Sequence, residues 1–290
     1  MRTTSEAPVA EPQSVKRAAK AANGGAARAG DRVDPETQPG VAVGIAHLSH
    51  SFGDLEVIER LDLRVRPGEV LGIVGPSGCG KSTLLELVSG LREQTGGDIA
   101  VNGEPAPSER LSSCAYMPQR DLLLPWLAAI DNAAIALRNR GSSRTAARRA
   151  AHPLFERFGL AGFERTRPAE LSGGMRQRVA FLRTLLAGKP VLLLDEPFAS
   201  LDAITRAEMQ EWLAGALAAE SRSVILVSHD VEEALYLSDR VLVLSPRPAR
   251  AIAEISAPAP RARPRLEAVT SPGFIDAREG ALEALTEGSR

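Results

Sequence analysis

Apolar and polar positions follow two different periodicities between residues 41 and about 245. Short apolar runs bounded by turn residues predict buried strands, and segments whose apolar residues recur every three or four positions predict amphipathic helices. Because the two kinds of segment alternate along the chain, the pattern predicts an α/β fold in which helices cover a sheet. The predicted strands are residues 70–74, 191–194, 223–228 and 240–244, and the predicted helices are residues 81–89, 204–217 and 231–237.

Three segments depart from this alternation. Residues 1–40 have almost no large apolar side chains, so we predict a disordered N-terminal arm in front of a domain that spans residues 41–250. Within that domain the strand signal disappears between about residues 120 and 170, where alanine-rich segments predict a helical insert. Residues 251–290 are predicted to form a tail rich in proline and arginine, with a short helix near residues 279–285.

Basic residues in two of these segments raise the question of a charged partner. The formal net charge is −1, which creates no overall field favouring nucleic acid, so we expect the arginines of the insert to form a solvated face and expect no nucleic-acid partner. A membrane-touching arm is the alternative for the N-terminal segment, and nearby acidic residues weigh against it. The residues concerned are Arg138, Arg140, Arg144, Arg148 and Arg149 in the insert, and Lys16, Arg17 and Lys20 in the arm.

Composition and the absence of a long apolar run predict in which cellular compartment the chain lies. The chain has 290 residues, 44% of them hydrophobic, which is enough to bury a large core. No run approaches the roughly 20 apolar residues of a membrane span, so we expect a cytosolic chain, on or off a membrane partner. The two cysteines, Cys79 and Cys114, are then expected to be reduced.

A glycine-rich turn follows the first predicted strand and opens the first predicted helix. Its residues are Gly75, Pro76, Ser77, Gly78, Cys79, Gly80, Lys81 and Ser82, followed by Thr83. This spacing in this context matches the phosphate loop of nucleotide-binding proteins, in which backbone amides and the helix N-terminus surround phosphates. Lys81 is expected to meet the outer phosphates and Ser82 to reach Mg²⁺. A glycine turn with a surface lysine is the structural alternative.

Two carboxylates end the second predicted strand. Asp195 and Glu196 follow the apolar run 191–194, and ligands of α/β sheets bind at the carboxyl ends of strands. We expect Asp195 to hold the Mg²⁺ shell and Glu196 to polarise the water that attacks the γ-phosphate. Apolar strands that end in an acid are common, so the prediction depends on the phosphate loop.

A serine and two glycines open another predicted helix and supply the most specific motif. Taken alone, such a turn is either an ordinary helix cap or a second anion site made by a hydroxyl, free amides and a helix dipole. The run Leu171, Ser172, Gly173, Gly174, Met175 continues with Arg176, Gln177 and Arg178. With the phosphate loop and the acidic pair, it resembles the signature of the ATP-binding cassette family, and the resemblance covers residues 41–244.

That resemblance implies a fold and further site residues. The fold would be a RecA-like sheet with a phosphate loop, a small antiparallel β subdomain and a helical insert subdomain. Phe52 would stack on adenine, although a core phenylalanine is the alternative. Gln119 would touch Mg²⁺ together with Ser82 and Asp195. Asp202 would lie in a loop at a dimer interface, and His229 would contact the γ-phosphate as a second catalytic residue.

Family membership also implies partners. The signature of one cassette completes the phosphate site of another, and this chain has one of each, so we expect a homodimer. Residues 121–127 expose apolar side chains that are predicted to form a groove for a short helix of an integral membrane permease; packing of Trp126 inside the insert is the alternative. The chain would then lie at the cytoplasmic face of the membrane and work indirectly with a periplasmic or lipid-anchored solute-binding protein.

The resemblance extends to a functional group of cassettes and leaves rivals open. The residues around Trp126 and the short tail look like cassettes of nitrate, sulfonate and taurine importers, and those of thiamine-pyrimidine precursor importers are similar. An exporter cassette with a separate permease is the alternative. A soluble cassette of DNA repair is disfavoured, because about 90 residues without heptads separate Lys81 from Ser172. Finally, Cys79 lies inside the phosphate loop, where a thiolate is expected to be favoured.

Overall fold

The computed structural model describes residues 40–199, 201–219, 221–258 and 264–288. The predicted N-terminal arm, apart from Gly40, lies outside these residues, as do Ser200 and residues 259–263. The strands of the described chain are β1 (Val43–Phe52), β2 (Leu55–Val65), β3 (Val70–Val74), β4 (Gly96–Val101), β5 (Cys114–Met117), β6 (Val191–Asp195), β7 (Ser223–Ser228), β8 (Arg240–Leu244) and β9 (Ala251–Ser256). The helices are α1 (Lys81–Ser89), α2 (Pro107–Ser113), α3 (Ala129–Ala133), α4 (Ile135–Asn139), α5 (Arg144–Arg157), α6 (Gly173–Leu186), α7 (Ala203–Ala218), α8 (Val231–Leu237), α9 (Arg265–Val269) and α10 (Pro272–Glu287).

The larger sheet aligns the ends of three strands at one edge. Its strand order is β5-β6-β7-β3-β8-β9, parallel except for β9 at the edge. Strands β3, β6 and β7 are buried along their whole length, as expected for apolar strands covered by helices on both faces. Val74 lies opposite Ser228, and Asp195 lies opposite Val227. The residues that follow these three strands therefore meet at one edge.

The smaller sheet is antiparallel and has the order β2-β1-β4. Along β2, Leu61, Leu63 and Val65 are buried and the residues between them are exposed, which is the alternation of a sheet with one face toward the core. Its core face shares an apolar cluster with Leu84 and Leu85 of α1. The predicted α/β class with a small antiparallel sheet is confirmed.

Helices α3 to α6 lie between β5 and β6 in the chain and pack onto α7. The Trp212 ring of α7 makes edge contacts with Phe158 and Phe181, at ring-centroid distances of 5.0 and 5.3 Å. Such edge contacts join the helical segment to the core.

A buried carboxylate braces this helical segment. The Asp131 side chain is 1% exposed and accepts hydrogen bonds from Arg144 at 2.6 Å and Arg148 at 2.7 Å. Arg140 donates to the Leu186 carbonyl oxygen at 3.0 Å. These side chains are exposed or partly exposed, as predicted for a solvated arginine face, and they also bind acceptors whose positions depend on the tertiary fold.

The segment after residue 250 contributes to the sheet and its cover. Strand β9 pairs antiparallel with β8, and α10 packs on α8 and β9 with Phe274 and Ala281 buried. Helix α10 is longer than the short helix predicted near residues 279–285, because its apolar face is covered by the core. None of the described helices combines the length and apolar character that a membrane span requires.

Candidate functional site

The phosphate loop connects β3 to α1 through a turn that requires glycine. Gly78 and Gly80 have φ values of +76° and +124°, a region that other residues rarely adopt. A Cβ atom on Gly80 would also lie 2.8 Å from Val57 Cγ1, so space and backbone geometry both select glycine there. Helix α1 begins at Lys81 directly after the turn, and its free amides and positive dipole end face the loop.

Lys81 is held beneath the loop. Its side chain is 4% exposed, and Nζ donates to the carbonyl oxygens of Gly75 at 2.8 Å and Pro76 at 3.0 Å. The same nitrogen lies 4.0 Å from Glu196 Oε1. The two neutral carbonyl oxygens hold the ammonium group in place. Because they bind it more weakly than a charged oxygen would, the ammonium can exchange them for a charged oxygen.

Asp195, at the end of β6, is fixed on both carboxylate oxygens. Ser82 Oγ donates to Oδ1 at 3.1 Å and the Tyr116 hydroxyl donates to Oδ2 at 3.0 Å. Burial raises the pKa of Asp195, and the hydrogen bonds from Ser82 and Tyr116 counteract that rise by favouring the charged form. Burial together with the Asp195 charge raises the pKa of Tyr116, which keeps its hydroxyl a proton donor.

Three predicted site residues converge on Glu196. Gln119 Nε2 donates to Glu196 Oε2 at 2.9 Å, and His229 Nδ1 lies 3.3 Å from the same oxygen, while Lys81 approaches Oε1. The backbone of Glu196 has a φ of 43°, uncommon for a residue with a side chain, and its N–H donates to the Val227 carbonyl oxygen at 2.9 Å. Such conformations concentrate at functional sites, where they aim a side chain.

The oxygen atoms at this edge suit Mg²⁺ that is shared with a phosphate ligand. Ser82 Oγ and the Asp195 carboxylate are in contact, and Gln119 lines the same cavity as Ser82, so the side chains here carry the hard oxygen donors that Mg²⁺ prefers. No group of three or more His, Cys, Asp or Glu side chains among the described residues could hold a metal by itself. An ion here would complete its shell with phosphate oxygens and water.

A cavity of about 370 Å³ joins these groups to the smaller sheet. The Phe52 side chain is 42% exposed on its rim, so it is not a core residue. The Arg92 guanidinium lies 4.7 Å from the Phe52 ring centroid, a cation–π contact, and the His50 ring contacts Phe52 edge-on. The cavity is lined by Phe52, Leu55, Val57, Ser77, Gly78, Gly80, Lys81, Ser82, Thr83, Gln119, Glu196 and Arg247.

The signature residues do not join this cavity within one chain. Ser172 caps α6, where its Oγ accepts from the Met175 N–H at 3.2 Å. Asp202 likewise caps α7, accepting from the amides of Ile204 and Thr205 at 3.1 Å each. Neither residue lines the cavity, and neither do the other signature residues, Leu171, Gly173 and Gly174.

The apolar segment after Gln119 faces outward. Trp126 is 68% exposed and Leu122 is 59% exposed, so packing of Trp126 inside the insert does not occur. Buried Asn132 fastens the loop by accepting from the Leu124 N–H at 2.7 Å and donating to the Leu124 carbonyl oxygen at 3.1 Å. A loop that is fixed by hydrogen bonds and exposes a large apolar side chain is typical of an interaction site.

Cys79 differs from its prediction. Its side chain is buried, and desolvation raises the pKa of the thiol despite the nearby positive charge of Lys81. The expectation that the loop favours a thiolate is therefore wrong, because burial in the apolar core outweighs the Lys81 charge and the nearby backbone N–H groups.

Comparisons with known proteins agree with this geometry. A family model described as ABC transporter matches residues 58–199. The formylaminopyrimidine import ATP-binding protein ThiZ of Halalkalibacterium halodurans is 43% identical over 211 residues, which are 73% of this chain and 82% of the relative. The aliphatic sulfonates import ATP-binding protein SsuB 1 of Rhodococcus jostii is 46% identical over 205 residues, 71% of this chain and 80% of the relative. The chain belongs to the ATP-binding cassette transporter family.

A further relative and a solved structure support the same family. The taurine import ATP-binding protein TauB of Burkholderia pseudomallei is 43% identical over 204 residues, 70% of this chain and 78% of that protein. A dimeric ATP-binding cassette in a post-hydrolysis state with ADP and Pi has a TM-score of 0.66 at 25% identity, covering 75% of this chain and 99% of that one. The predicted family and ATPase class are confirmed, and the cassette hydrolyses ATP.

Two residues of the cassette site were not singled out from the sequence. Tyr116 lies three residues before Gln119, on strand β5. Because β5 pairs with β6, which ends in Asp195, the position of Tyr116 on that strand is the signal that its hydroxyl could reach Asp195. Arg247, after β8, has no local signal, because its contact with Gly78 spans 169 residues of the chain. Contacts of that kind depend on the topology of the sheet.

Proposed function

We propose that the cassette binds Mg-ATP between Phe52 and the phosphate loop and hydrolyses it with Glu196 as general base. The observation that carries this proposal is the convergence of Lys81, Gln119 and His229 on the Glu196 carboxylate. The side chains that would read the γ-phosphate are thus in contact with the group that would activate water. A general base held within hydrogen-bond reach of its substrate contributes roughly 10²- to 10⁴-fold to a rate.

Each residue then has a distinct task. Lys81 exchanges the Gly75 and Pro76 carbonyl oxygens for phosphate oxygens, and the amides of the loop surround the β-phosphate. Ser82, Asp195 and Gln119 would hold Mg²⁺, which neutralises phosphate charge when bound. Glu196 accepts the proton of the attacking water, and His229 donates a hydrogen bond to the γ-phosphate. Phe52 offers a ring face to adenine.

A second copy of the chain supplies the rest of the site. We propose that Leu171, Ser172, Gly173, Gly174 and Met175 of one chain close over the ATP held by the other, with Asp202 at the interface. The support for this step is that the N-terminus of α6 carries a hydroxyl, small residues and a positive dipole, yet lines no part of its own cavity. Two-fold symmetry completes both sites at once. ATP favours the closed pair and hydrolysis reopens it.

The closing motion is used for import. We propose that the exposed segment around Trp126 receives a short helix of an integral membrane permease, which places the cassette at the cytoplasmic face of the membrane. A periplasmic or lipid-anchored solute-binding protein would act through that permease. The names of the relatives favour a small solute such as an aliphatic sulfonate, taurine or formylaminopyrimidine. Within the chain, residues 41–250 would be the ATPase domain, extended by β9 and α10, which join its sheet and cover, with residues of about 120–170 as its helical subdomain.

The test is a Glu196→Gln variant, measured for ATP binding and for single-turnover hydrolysis. Removing the base should lower hydrolysis about 10³-fold and leave ATP affinity within a few-fold, because glutamine keeps the shape of the side chain. Glu279→Gln, on the exposed face of α10, is the matched control and should hydrolyse at the wild-type rate. Hydrolysis by Glu196→Gln at the wild-type rate would show that Glu196 is not the general base. Failure of the wild-type chain to co-purify with any permease would remove the transport role.

A further inference from the structure

The turn between β8 and β9, residues 245–250, contributes Arg247 to the cavity lining but contains none of the predicted site residues. Ala249 donates its N–H to the Val57 carbonyl oxygen at 2.8 Å, and the Glu59 N–H donates to the Ala249 carbonyl oxygen at 3.1 Å. Arg250 adds an ion pair with Glu59. The turn is therefore fastened to β2, the strand that contributes Leu55 and Val57 to the cavity wall.

The turn is also fixed internally. Ser245 Oγ accepts from the Arg250 N–H at 3.0 Å and contacts the Pro248 carbonyl oxygen at 3.0 Å. The Ser245 N–H donates to the Arg250 carbonyl oxygen at 3.0 Å. Because the backbone on both sides of Arg247 is held, the direction of the Arg247 side chain follows from the fold.

That side chain reaches the tip of the phosphate loop. Arg247 Nε donates to the Gly78 carbonyl oxygen at 3.1 Å, and Nη2 donates to the same oxygen. A guanidinium has five N–H groups, and the remaining three have no acceptor among the described residues. No carboxylate of the described chain pairs with Arg247, which lines the cavity as an exposed side chain.

The charges along the cavity favour an anion at this position. Its charged lining residues are Lys81, Glu196 and Arg247, and Lys81 lies 4.0 Å from Glu196, so these two charges partly offset each other. Arg247 is left as the positive charge without a carboxylate neighbour in the described chain. Planar guanidinium groups bind phosphate oxygens through two parallel N–H bonds, which a backbone carbonyl accepts less strongly.

We propose that Arg247 is a phosphate-binding residue of the nucleotide site, whose free N–H groups bind phosphate oxygens of the nucleotide. The proposal rests on the proposed function of the cavity as the ATP site. It makes the β8–β9 turn part of that site, together with the phosphate loop and the smaller sheet. Arg247 contributes to affinity and takes no part in activating water.

The test compares Arg247→Gln with Arg250→Gln in the full chain. Kd values for ATP and ADP are measured by calorimetry, and the Kd for adenosine is measured by competition with a fluorescent ATP analogue. Loss of one charge-assisted contact should weaken ATP and ADP about tenfold in Arg247→Gln and leave adenosine unchanged. Arg250→Gln removes an exposed ion pair from the same turn and leaves the backbone hydrogen bonds between Ala249 and β2 in place, so it should bind all three ligands as the wild-type chain does.

Two results would overturn the proposal. One is unchanged ATP affinity in Arg247→Gln; the other is an equal loss for ATP and adenosine, which would mean that Arg247 only shapes the cavity wall. Lys81→Ala in the same assay distinguishes a failure of the Arg247 proposal from a failure of the proposed ATP site. If Lys81→Ala loses ATP and Arg247→Gln does not, the site stands and the role of Arg247 fails. If the wild-type chain binds no ATP, the proposed function itself fails.

Discussion

The phosphate-loop region and the signature region of this cassette are built in opposite ways. Around the phosphate loop, side chains that come from four separate loops are already in contact, with Glu196 joined to Lys81, Gln119 and His229. At the signature, Ser172 forms a hydrogen bond only within its own helix turn, to the Met175 N–H. One region is assembled within the chain, and the other has a helix N-terminus whose residues line no part of the phosphate-loop cavity.

The difference separates two tasks within the proposed site. A preassembled region can bind nucleotide with only local exchanges of hydrogen-bond partners, such as that of Lys81, because its side chains already lie close together. A helix N-terminus that lines no cavity in its own chain gains its function only when another molecule presents an anion to it. Binding and hydrolysis would then be separable, the first belonging to one chain and the second to a pair.

The largest expected effect comes from a tandem fusion, in which two copies of the chain are joined in one polypeptide. Two substitutions are distributed between its two halves. With Lys81→Ala in one half and Ser172→Ala in the other, one head-to-tail site keeps both Lys81 and Ser172. With both substitutions in the same half, each site loses one of them. We expect the first fusion to retain one ATP and to hydrolyse at least about 100-fold faster than the second, because each lost donor costs on the order of 10²-fold.

The two fusions carry the same substitutions, so each serves as the control for the other. If Ser172 served its own chain, the order would be reversed: the fusion with both changes in one half would keep an intact site in the other half. Equal activity of the two fusions would contradict any sharing of sites. The measurement is ATP retained per fusion after rapid desalting, together with phosphate release.

The same contrast explains what could be predicted from the sequence. The phosphate loop and the strands at residues 70–74 and 223–228 are local patterns, because a glycine turn or an apolar run sets the backbone within a few residues. The predicted boundaries of these strands agree with the structure. The antiparallel sheet and the roles of Phe52, Gln119 and His229 required the family resemblance, and those roles remain predictions.

Contacts between distant segments were beyond sequence reasoning. Arg247 reaches Gly78 across 169 residues, and the pairing of Asp131 with Arg148 depends on how α3 and α5 cross. Cys79 shows the same limit in a motif that was otherwise located correctly: its position in the loop was known, but its burial was not. Neither hydrophobic periodicity nor residue type specifies such contacts, because tertiary packing decides them.

A substitution at Asp131 should weaken the helical segment and spare the phosphate loop. Asp131→Asn leaves Arg144 and Arg148 without their carboxylate, and we expect a loss of about 2 kcal/mol in the free energy of unfolding. The value is below the cost of breaking a fully buried pair, because both arginines are more than a third exposed and can be hydrated. Urea unfolding measures it, with exposed Asp98→Asn as the control.

The pH dependence of the same variant has a defined sign. The hydrogen bonds from Arg148 and then Arg144 hold the pKa of Asp131 far below its usual range. A carboxyl whose folded pKa is depressed stabilises the fold fully above its unfolded pKa, about 3.9, and loses that contribution as the pH falls toward the folded pKa. The stability gap between wild type and Asp131→Asn should therefore be constant above about pH 5 and shrink below about pH 4. A constant gap at all pH values would contradict the assignment of the charge.

The smallest expected effect lies on the link between the two regions. Asp121, two residues after Gln119, pairs with Arg176 of α6 at 3.1 Å, and Arg176 also donates to the Leu171 carbonyl oxygen at 2.8 Å. Because the pair is partly exposed, Asp121→Asn should lower ATP hydrolysis only about two- to fivefold, with ATP affinity of the separate chain unchanged.

Arg176→Gln combined with Asp121→Asn should be no slower than Arg176→Gln alone, since both changes break the same contact. The Arg240–Glu254 pair provides the control, because Glu254→Gln breaks a partly exposed ion pair, 2.6 Å long, that does not connect Gln119 to the signature. If Asp121→Asn weakened ATP binding to the separate chain as much as it slowed hydrolysis, Asp121 would belong to the phosphate-loop region, and the two regions would not be coupled through this pair.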